Sequence, residues 1–401
     1  MRMTFNRSSQ LVLVATASLL VAGLLTACGT LTADFVYVTS SRAAGPNSYG
    51  EVDVFEINAD SGRMRTIPTS PFPSGGRNPV AEVTSPDNTN LYVVNRDDNT
   101  IVQFVIGTDG KLYPQNTVNT PGIFPLSVAT AGKFLVVADT YQPLPVCSPA
   151  APCSGSLAVY PIGDNNVLGS PVINTSISTR YWPTVLPSNP AHVIQPTAVT
   201  SAASGAYVYV SAYDTTVSPG VGYVFGFAVN ADGTLNALNG GVPFPAGKQP
   251  SAITSSPDGG TIYVTDLASN NVLVYSASGG LLTPVSGSPY AAGNAPTAVV
   301  VDSTGKYVYV ANSVDSNLTA YSTSGGGLTL IGSYVTGTQP MAIGIDPSLN
   351  QYLYTADFLG NTVSGFQVDA TDGTLLNSQF SPSSSNANPT AVAAIPHKQE
   401  R

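Results

Sequence analysis

A repeated motif constrains the fold of this 401-residue chain more than any other feature of its sequence. Each copy begins with Pro-x-Ala-(Val/Ile), passes a turn, and continues into an aromatic-Val strand that ends on Asn or Asp. A Val/Phe/Tyr strand and a Gly-x-Leu strand follow. The leading prolines lie 44 to 71 residues apart, at Pro79, Pro125, Pro196, Pro250, Pro296, Pro340 and Pro389. Such spacing is typical of propellers and solenoids.

The two ends of the repeated region complement each other. The first aromatic-Val strand, from Phe35, has no Pro-x-Ala strand before it, and the last Pro-x-Ala strand, from Pro389, has nothing after it. Together they complete one unit, which would remove the exposed sheet edges of an open array. The sequence therefore predicts an all-β fold over residues 35–396. This fold is a seven-bladed β-propeller of four-stranded antiparallel blades, closed by the C-terminal strand joining the N-terminal blade.

Composition excludes two classes of protein. Only 9% of the residues are charged and the formal net charge is −9, so the chain lacks the basic surface that nucleic-acid binding requires. The hydrophobic content of 43% is too high for a disordered chain. We therefore expect a folded protein without a nucleic-acid partner.

The N-terminus has the pattern of an export signal. Arg2 and Arg7 precede an apolar run over residues 11–25, which ends in Leu-Thr-Ala followed by Cys28. This resembles the bacterial lipobox. The resemblance implies removal of residues 1–27, lipidation of Cys28 and a linker over 28–34. The protein would be exported and lipid-anchored in the cell envelope, at the outer membrane or cell surface, and would meet a membrane only through that anchor. The alternative is an ordinary secretory signal with a chance cysteine.

The remaining cysteines, Cys147 and Cys153, have five residues between them, all Pro, Ala or Ser. An exported chain meets an oxidising compartment, so we expect a disulfide that tightens a loop. Metal binding would need further ligands nearby, and His and Cys are scarce there. We predict neither a metal site nor a cofactor.

The repeat resembles two related families. Variants of Tyr-Val-Thr-Asn begin at Tyr92, Tyr263, Tyr309 and Tyr354, which is similar to the YVTN propellers. The pattern also resembles the seven-bladed lactonase family, which includes 6-phosphogluconolactonase-like proteins. The lactonase resemblance implies Arg-His directly after the proline of one inner strand, and a Glu after a strand-ending Asn.

Neither part of that signature is present. The residues after the seven prolines are Val80, Leu126, Thr197, Ser251, Thr297, Met341 and Thr390, and each is followed by Ala or Ser. The residues after the strand ends are Ser41, Arg96, Thr140, Tyr213, Leu267, Ser313 and Phe358. The chain has only two histidines, His192 and His397, and the second lies in the polar tail 397–401. We therefore assign no catalytic residue from the sequence.

Polar residues recur where the aromatic-Val strands end. The positions are Ser40, Asn95, Asp139, Ala212, Asp266, Asn312 and Asp357, which we call the ring positions. Asp139, Asp266 and Asp357 are candidates for binding a cation or a polar ligand. The alternative is that these side chains bond the backbone of their own loops.

Four insertions interrupt the repeat, at residues 41–50, 140–155, 213–222 and 173–195, and propeller topology places all of them on one face. The last insertion contains Arg180, Tyr181, Trp182 and His192. Arg and aromatic residues are frequent binding anchors, so these residues are candidates for a binding face. The alternative is a loop that packs its own aromatic side chains.

Three functions remain. The first is a monomeric, non-catalytic module that binds a protein, a glycan or an envelope polymer. The second is a lactone hydrolase with a rearranged site, and the third is a structural cell-surface protein.

Overall fold

The computed structural model describes residues 32–41, 49–323, 326–347, 350–386 and 388–397. They form seven antiparallel sheets, whose inner strands contact one another in a closed ring. The predicted seven-bladed β-propeller is confirmed. The predicted signal peptide and Cys28 lie outside the described residues.

Each blade has an inner, a second, a third and an outer strand, and the blades are numbered from the N-terminus. The inner strands of blades 1 to 7 are Pro389–Pro396, Pro79–Thr84, Ile123–Ala131, Ile194–Ala202, Pro250–Ser255, Pro296–Val301 and Pro340–Ile345. The second strands are Thr32–Ser40, Asn90–Asn95, Phe134–Tyr141, Tyr207–Asp214, Thr261–Asp266, Tyr307–Asn312 and Tyr352–Asp357. The third strands are Glu51–Asn58, Thr100–Ile106, Ser156–Pro161, Val221–Val229, Asn271–Ser278, Asn317–Ser322 and Thr362–Val368.

The outer strand is divided into two short pieces in four blades, where the sequence predicts one strand. The pieces are Met64–Thr66 and Phe72–Pro73 in blade 1, Leu235–Ala237 and Phe244–Pro245 in blade 4, Leu281–Pro284 and Tyr290–Ala291 in blade 5, and Leu375–Asn377 and Ser383–Ser384 in blade 7. The undivided outer strands are Leu112–Asn119, Trp182–Pro183 and Thr329–Val335. Short 3-10 helices occupy Asp164–Asn166, Ala203–Gly205 and Asn239–Gly241.

Where the outer strand is interrupted, a serine hydroxyl accepts a hydrogen bond from a backbone N–H of the third strand. The backbone N–H of Val54 donates to Ser70 Oγ at 2.9 Å, and the N–H of Val274 donates to Ser288 Oγ at 2.9 Å. A backbone donor that would otherwise lose its partner in the sheet is thereby paired.

Blade 1 closes the ring with strands from both ends of the chain. Tyr37 pairs with Ala393 and Val38 with Val392 in antiparallel register. The second strand of this blade begins at Thr32, three residues before the predicted start of the propeller at residue 35.

The core lies between the blades. Seven clusters of buried apolar side chains each join two neighbouring blades. Five tyrosines at the motif position of the second strands are buried there with the hydroxyl hydrogen-bonded, as buried tyrosines require: Tyr37, Tyr92, Tyr209, Tyr309 and Tyr354. Three of them donate to a glycine carbonyl in a neighbouring blade: Tyr37 to Gly110 at 3.1 Å, Tyr209 to Gly280 at 2.9 Å and Tyr309 to Gly373 at 3.0 Å. This packing explains the aromatic residue in the repeat.

Within the described part of the chain, no helix is long and apolar enough to cross a membrane.

Candidate functional site

The candidate site lies at the end of the propeller where the second strands stop and the inner strands begin, which we call the loop face. In five blades a glycine stands three residues before the inner-strand proline and packs against the ring residue. A Cβ on Gly122 would lie 2.3 Å from the Cβ of Asp139, and a Cβ on Gly76 would lie 2.6 Å from Cγ of Asn95. Glycine therefore lets the incoming loop approach the ring closely.

The carboxylates of Asp266 and Asp357 accept hydrogen bonds from residues of their own blades. The Asp266 carboxylate accepts the backbone N–H of Lys248 at 2.8 Å and of Gln249 at 2.9 Å. Asp357 accepts hydroxyl donors from Thr355 at 2.7 Å, Thr362 at 3.0 Å and Ser364 at 2.7 Å. Asp266 also accepts the N–H of Ala268 in the loop that follows it, at 3.2 Å, as the loop-bonding alternative expects, whereas these partners of Asp357 are side-chain hydroxyls.

Asp139 occupies the same position in blade 3 but has a different environment. It is fully buried, and no described residue lies in hydrogen-bonding geometry with either carboxylate oxygen. Burial raises its pKa from 3.8 to about 8, an effect only partly offset by Gly122 and Thr120, which face it. The carboxyl is therefore largely protonated at neutral pH. Among the described residues, no cluster of His, Cys, Asp and Glu could hold a metal ion.

Hydroxyl groups near the propeller axis join adjacent blades at the start of the inner strands. Ser251 donates to the carbonyl of Pro296 at 2.6 Å, Thr297 to Pro340 at 2.8 Å and Thr390 to Pro79 at 2.8 Å. These are positions at which the lactonase resemblance would allow the arginine of Arg-His. Here they hold the ring together.

Blades 3 and 4 extend further at the loop face than the others. Their inner strands begin two residues before the repeat proline, and their second strands end two residues after the ring position. The added pairs are Tyr141 with Ile123 and Asp214 with Ile194. Side chains on these extensions therefore stand beyond the level of the ring.

A cation and two aromatic rings meet at the edge of blades 2 and 3. The guanidinium carbon of the exposed Arg96 lies 5.0 Å from the ring centroid of Phe124. The centroids of Phe124 and Tyr141 are 6.2 Å apart. A cation over an aromatic face in this range is favourable, so the contact orients Arg96 on the loop face.

A histidine–aspartate pair stands on blade 4. His192 Nδ1 hydrogen-bonds Asp214 Oδ2, and Asp214 Oδ1 accepts the backbone N–H and hydroxyl of Thr216 at 2.8 Å and 2.5 Å. Burial raises the pKa of Asp214, but the hydrogen bonds from Thr216 and His192 outweigh it, so the net pKa is lowered. Asp214 is therefore ionised at neutral pH.

The other candidates from the same insertion lie on the outer edge of blade 3. Trp182 is 6% exposed and packs in the apolar cluster between blades 3 and 4. Its backbone pairs with Leu157 of the third strand. Arg180 donates to the carbonyl of Pro171, and the Tyr181 carbonyl accepts the side chain of Asn174 at 3.1 Å. Of the four candidates, only His192 stands at the extended hairpin of the loop face.

Trp182 is part of the repeat and not of an insertion. Trp182–Pro183 pairs with the third strand as Phe72–Pro73 does in blade 1 and Phe244–Pro245 in blade 4. The aromatic-Pro dipeptide is a sequence signal that could have identified this outer strand. The long segments before and after Trp182–Pro183 have no counterpart in the other blades, so the dipeptide is difficult to recognise as an outer strand.

Cys147 and Cys153 form a disulfide in the loop between the second and third strands of blade 3. Their Cα atoms are 5.4 Å apart. The loop carries no charged side chain near the two cysteines.

Comparison with known families identifies the chain. The model of the family described as lactonase, 7-bladed beta-propeller, matches residues 48–142 and 216–393, more than half of the chain. The protein belongs to this lactonase family.

Solved structures of low sequence identity share the lactonase-family fold. A candidate 6-phosphogluconolactonase from Bacteroides fragilis has a TM-score of 0.70 and 20% identity, and the alignment covers 91% of this chain and 99% of that chain. The periplasmic gluconolactonase of Pseudomonas aeruginosa has a TM-score of 0.68 and 19% identity, covering 90% and 99%. A protein from Lactobacillus plantarum has a TM-score of 0.67 and 17% identity, covering 91% and 99%. No sequence among the curated proteins matches significantly.

Glu82 is a further acid with a buried carboxylate in this lactonase-family propeller. Glu82 lies three residues after the inner-strand proline, where the other blades have Val or Ile: Val128, Val199, Ile253, Val299, Ile343 and Val392. Its carboxylate oxygens have no hydrogen-bond partner among the described residues. Burial raises the pKa of Glu82 to about 8, and the backbone of Thr39 and Ala393 lowers it by less. Aligning the seven copies would have revealed this residue.

Proposed function

We propose that the protein hydrolyses a lactone at the loop face of the propeller. The observation that carries this proposal is the family match, which includes the second strands of blades 2, 3, 5, 6 and 7 that end at this face. The neighbours from Bacteroides fragilis and Pseudomonas aeruginosa carry lactonase names, which supports the same reaction class. This reading replaces a non-catalytic module as the leading hypothesis.

The loop face offers groups suited to such a substrate. A lactone hydrolase must stabilise the negative charge that develops on the carbonyl oxygen. Arg96 is exposed there and held over Phe124, so its guanidinium can bind an oxyanion or a substrate carboxylate or phosphate. The partly exposed Phe124, packed against the buried Tyr141, adds apolar surface, which ligand sites commonly combine with a few polar groups.

A direct assay tests this proposal. The purified full-length chain is given glucono-δ-lactone or 6-phosphogluconolactone, and acid release is followed by titration at constant pH. We expect a rate above spontaneous hydrolysis. A hydrogen bond to a charged group contributes about 1.5–3 kcal/mol, so Arg96→Gln should lower kcat/KM by roughly 10- to 100-fold.

The matched control is Arg65→Gln, because Arg65 is an exposed arginine on the outer strand of blade 1, paired with Glu56. This variant should leave the rate unchanged. Hydrolysis no faster than the buffer rate for both lactones would contradict the proposal.

A second candidate is a non-catalytic module that binds a protein, glycan or envelope polymer. It is favoured by the inner-strand hydroxyls of Ser251, Thr297 and Thr390, which join blades where the family signature would place arginine. A glycan array distinguishes it: binding that Arg96→Gln abolishes, in a protein without lactonase activity, supports this function.

For location, we propose export and lipid anchoring through Cys28. The sequence pattern before Cys28 supports it. Cys28→Ser should move the protein from the membrane fraction to the soluble fraction, and unchanged fractionation would rule out the anchor.

A further inference from the structure

We propose that His192 is the general base of the site and that Asp214 is its positioning residue. This inference rests on the proposed lactone hydrolysis. The two side chains lie at the extended hairpin of blade 4, on the loop face, and they supply the proton-accepting group that the inner strands lack.

The hydrogen bond fixes which nitrogen can act. His192 Nδ1 bonds the Asp214 carboxylate, and Asp214 is 1% exposed and ionised. A buried carboxylate that accepts from Nδ1 holds the proton there and leaves the lone pair on Nε2. The His192 side chain is 30% exposed, and none of the described residues hydrogen-bonds Nε2. Water can therefore reach Nε2.

The backbone around His192 is tied to the blade on both sides. The His192 carbonyl accepts the Ser154 hydroxyl at 3.1 Å, and that hydroxyl oxygen accepts the N–H of Ile194 at 3.0 Å. The N–H of Thr215 donates to the carbonyl of Val193 at 3.0 Å. The imidazole is therefore placed by the sheet and not by a loop alone, as a catalytic group requires.

The pair belongs to the part of the chain that sets it apart from its family. The family model matches up to residue 142 and again from residue 216, so His192 and Asp214 both lie in the unmatched segment. In the same blade, the two positions after the inner-strand proline are Thr197 and Ala198. We infer that the insertion 173–195 supplies the general base, His192, at the loop face beyond the ring positions.

The reaction step follows from this geometry. Nε2 accepts a proton from a water molecule as the water oxygen forms a bond to the lactone carbonyl carbon. The tetrahedral intermediate then collapses and its bond to the ring oxygen breaks. That oxygen takes the proton from the His192 imidazolium, which gives a hydroxy acid and regenerates the neutral imidazole. No oxidant or reductant is involved.

The decisive variants are His192→Gln and Asp214→Asn, assayed on glucono-δ-lactone. General base catalysis contributes about 10²–10⁴-fold, so His192→Gln should lower kcat by that factor with little change in KM. Asp214→Asn removes a negative charge that favours the imidazolium. It should lower kcat and move the acidic limb of the kcat/KM profile to lower pH.

The matched control is His397→Gln. His397 follows the inner strand of blade 1, away from the loop face, and its ring lies 5.3 Å from that of Phe35. This variant should keep the wild-type rate and pH profile. A purely structural role for the His192–Asp214 pair would lower the unfolding temperature without moving the acidic limb.

The outcomes separate the two proposals. If the wild type hydrolyses lactones and folded His192→Gln keeps the full kcat, His192 is not the base and the lactonase proposal stands. If the wild type has no activity, both proposals fail. If His192→Gln does not fold, Asp214→Asn decides: an unchanged kcat and pH profile in that variant would overturn the role of His192.

Discussion

Asp139 in blade 3 and Asp357 in blade 7 are the same residue at the same position of the repeat, yet their environments are opposite. Asp357 accepts three hydroxyl hydrogen bonds, from Thr355, Thr362 and Ser364. Asp139 accepts none from any described residue. Burial raises the pKa of both carboxyls, and the hydrogen bonds from the neighbouring strands offset part of that rise at Asp357.

The cause is visible at the three equivalent donor positions. Blade 3 has Val137 in place of Thr355 and Ala158 in place of Ser364. The third position is Ser156, which pairs with Asp139 as Thr362 pairs with Asp357, but the Ser156 hydroxyl has no described partner. A buried carboxylate without donors is costly to ionise. Blade 3 therefore holds a neutral acid where blade 7 has a network of hydrogen bonds.

The largest expected effect concerns the outer edge of blade 3. Trp182→Ala should destabilise the protein by about 3–5 kcal/mol, because it leaves a cavity between blades 3 and 4. Chemical denaturation measures this loss in the free energy of unfolding. The control is Tyr181→Ala, because Tyr181 precedes Trp182 in the chain but does not belong to the core cluster. From the sequence, Trp182 is a candidate binding anchor, and a Trp182→Ala variant with wild-type stability would restore that interpretation.

The next effect tests the protonation of Asp139. Its pKa of about 8 in the folded state lies above the ordinary 3.8. The folded state therefore binds the proton more tightly, and stability falls as pH rises from about 4 to about 8. Asp139→Asn should remove part of this fall, raising the free energy of unfolding at pH 8 by an amount on the order of a few kcal/mol.

Glu82, whose pKa is also raised to about 8, contributes in the same direction. Adding Glu82→Val to Asp139→Asn should flatten the stability profile further. An unchanged profile in the double variant would show that neither acid is protonated in the folded state.

A smaller effect follows from making blade 7 resemble blade 3. Ser364→Ala removes one donor to Asp357 and the acceptor of the Gly337 N–H, which lies 2.8 Å away. We expect a loss of about 1–3 kcal/mol at neutral pH and a higher pKa for Asp357. Ser276→Ala, at an exposed position of the blade 5 third strand, should cost little. Equal losses in the two variants would contradict the comparison.

The smallest effect comes from the reverse change. Ala158→Ser places a hydroxyl at the blade 3 position equivalent to Ser364, so it should donate to Asp139 and lower its pKa. The gain in stability at pH 8 should be about 1 kcal/mol, and NMR titration of the carboxyl carbon measures the pKa. A pKa that stays near 8 would show that the hydroxyl does not reach the carboxylate.

The sequence predicted the repeat-dependent features well. Blade number, ring closure and the position of Asp266 and Asp357 all follow from the spacing of prolines and strand ends. It could not locate Trp182 in the core, because the segments around its strand have no counterpart in other copies. Glu82 occupies the Val/Ile position of the motif in blade 2, but only the packing of the strands around it shows that its carboxylate is buried.

By itself, the sequence determined which strands pair and in what order, because alternation and turn residues act over a few neighbouring positions and repeat in every blade. Only the tertiary structure decided that Asp214 lies against His192, 22 residues away, and that Asp139 lacks donors while Asp357 has three. Those outcomes depend on side chains from different strands and loops meeting in space. A carboxyl's charge and an imidazole's tautomer are set by those neighbours.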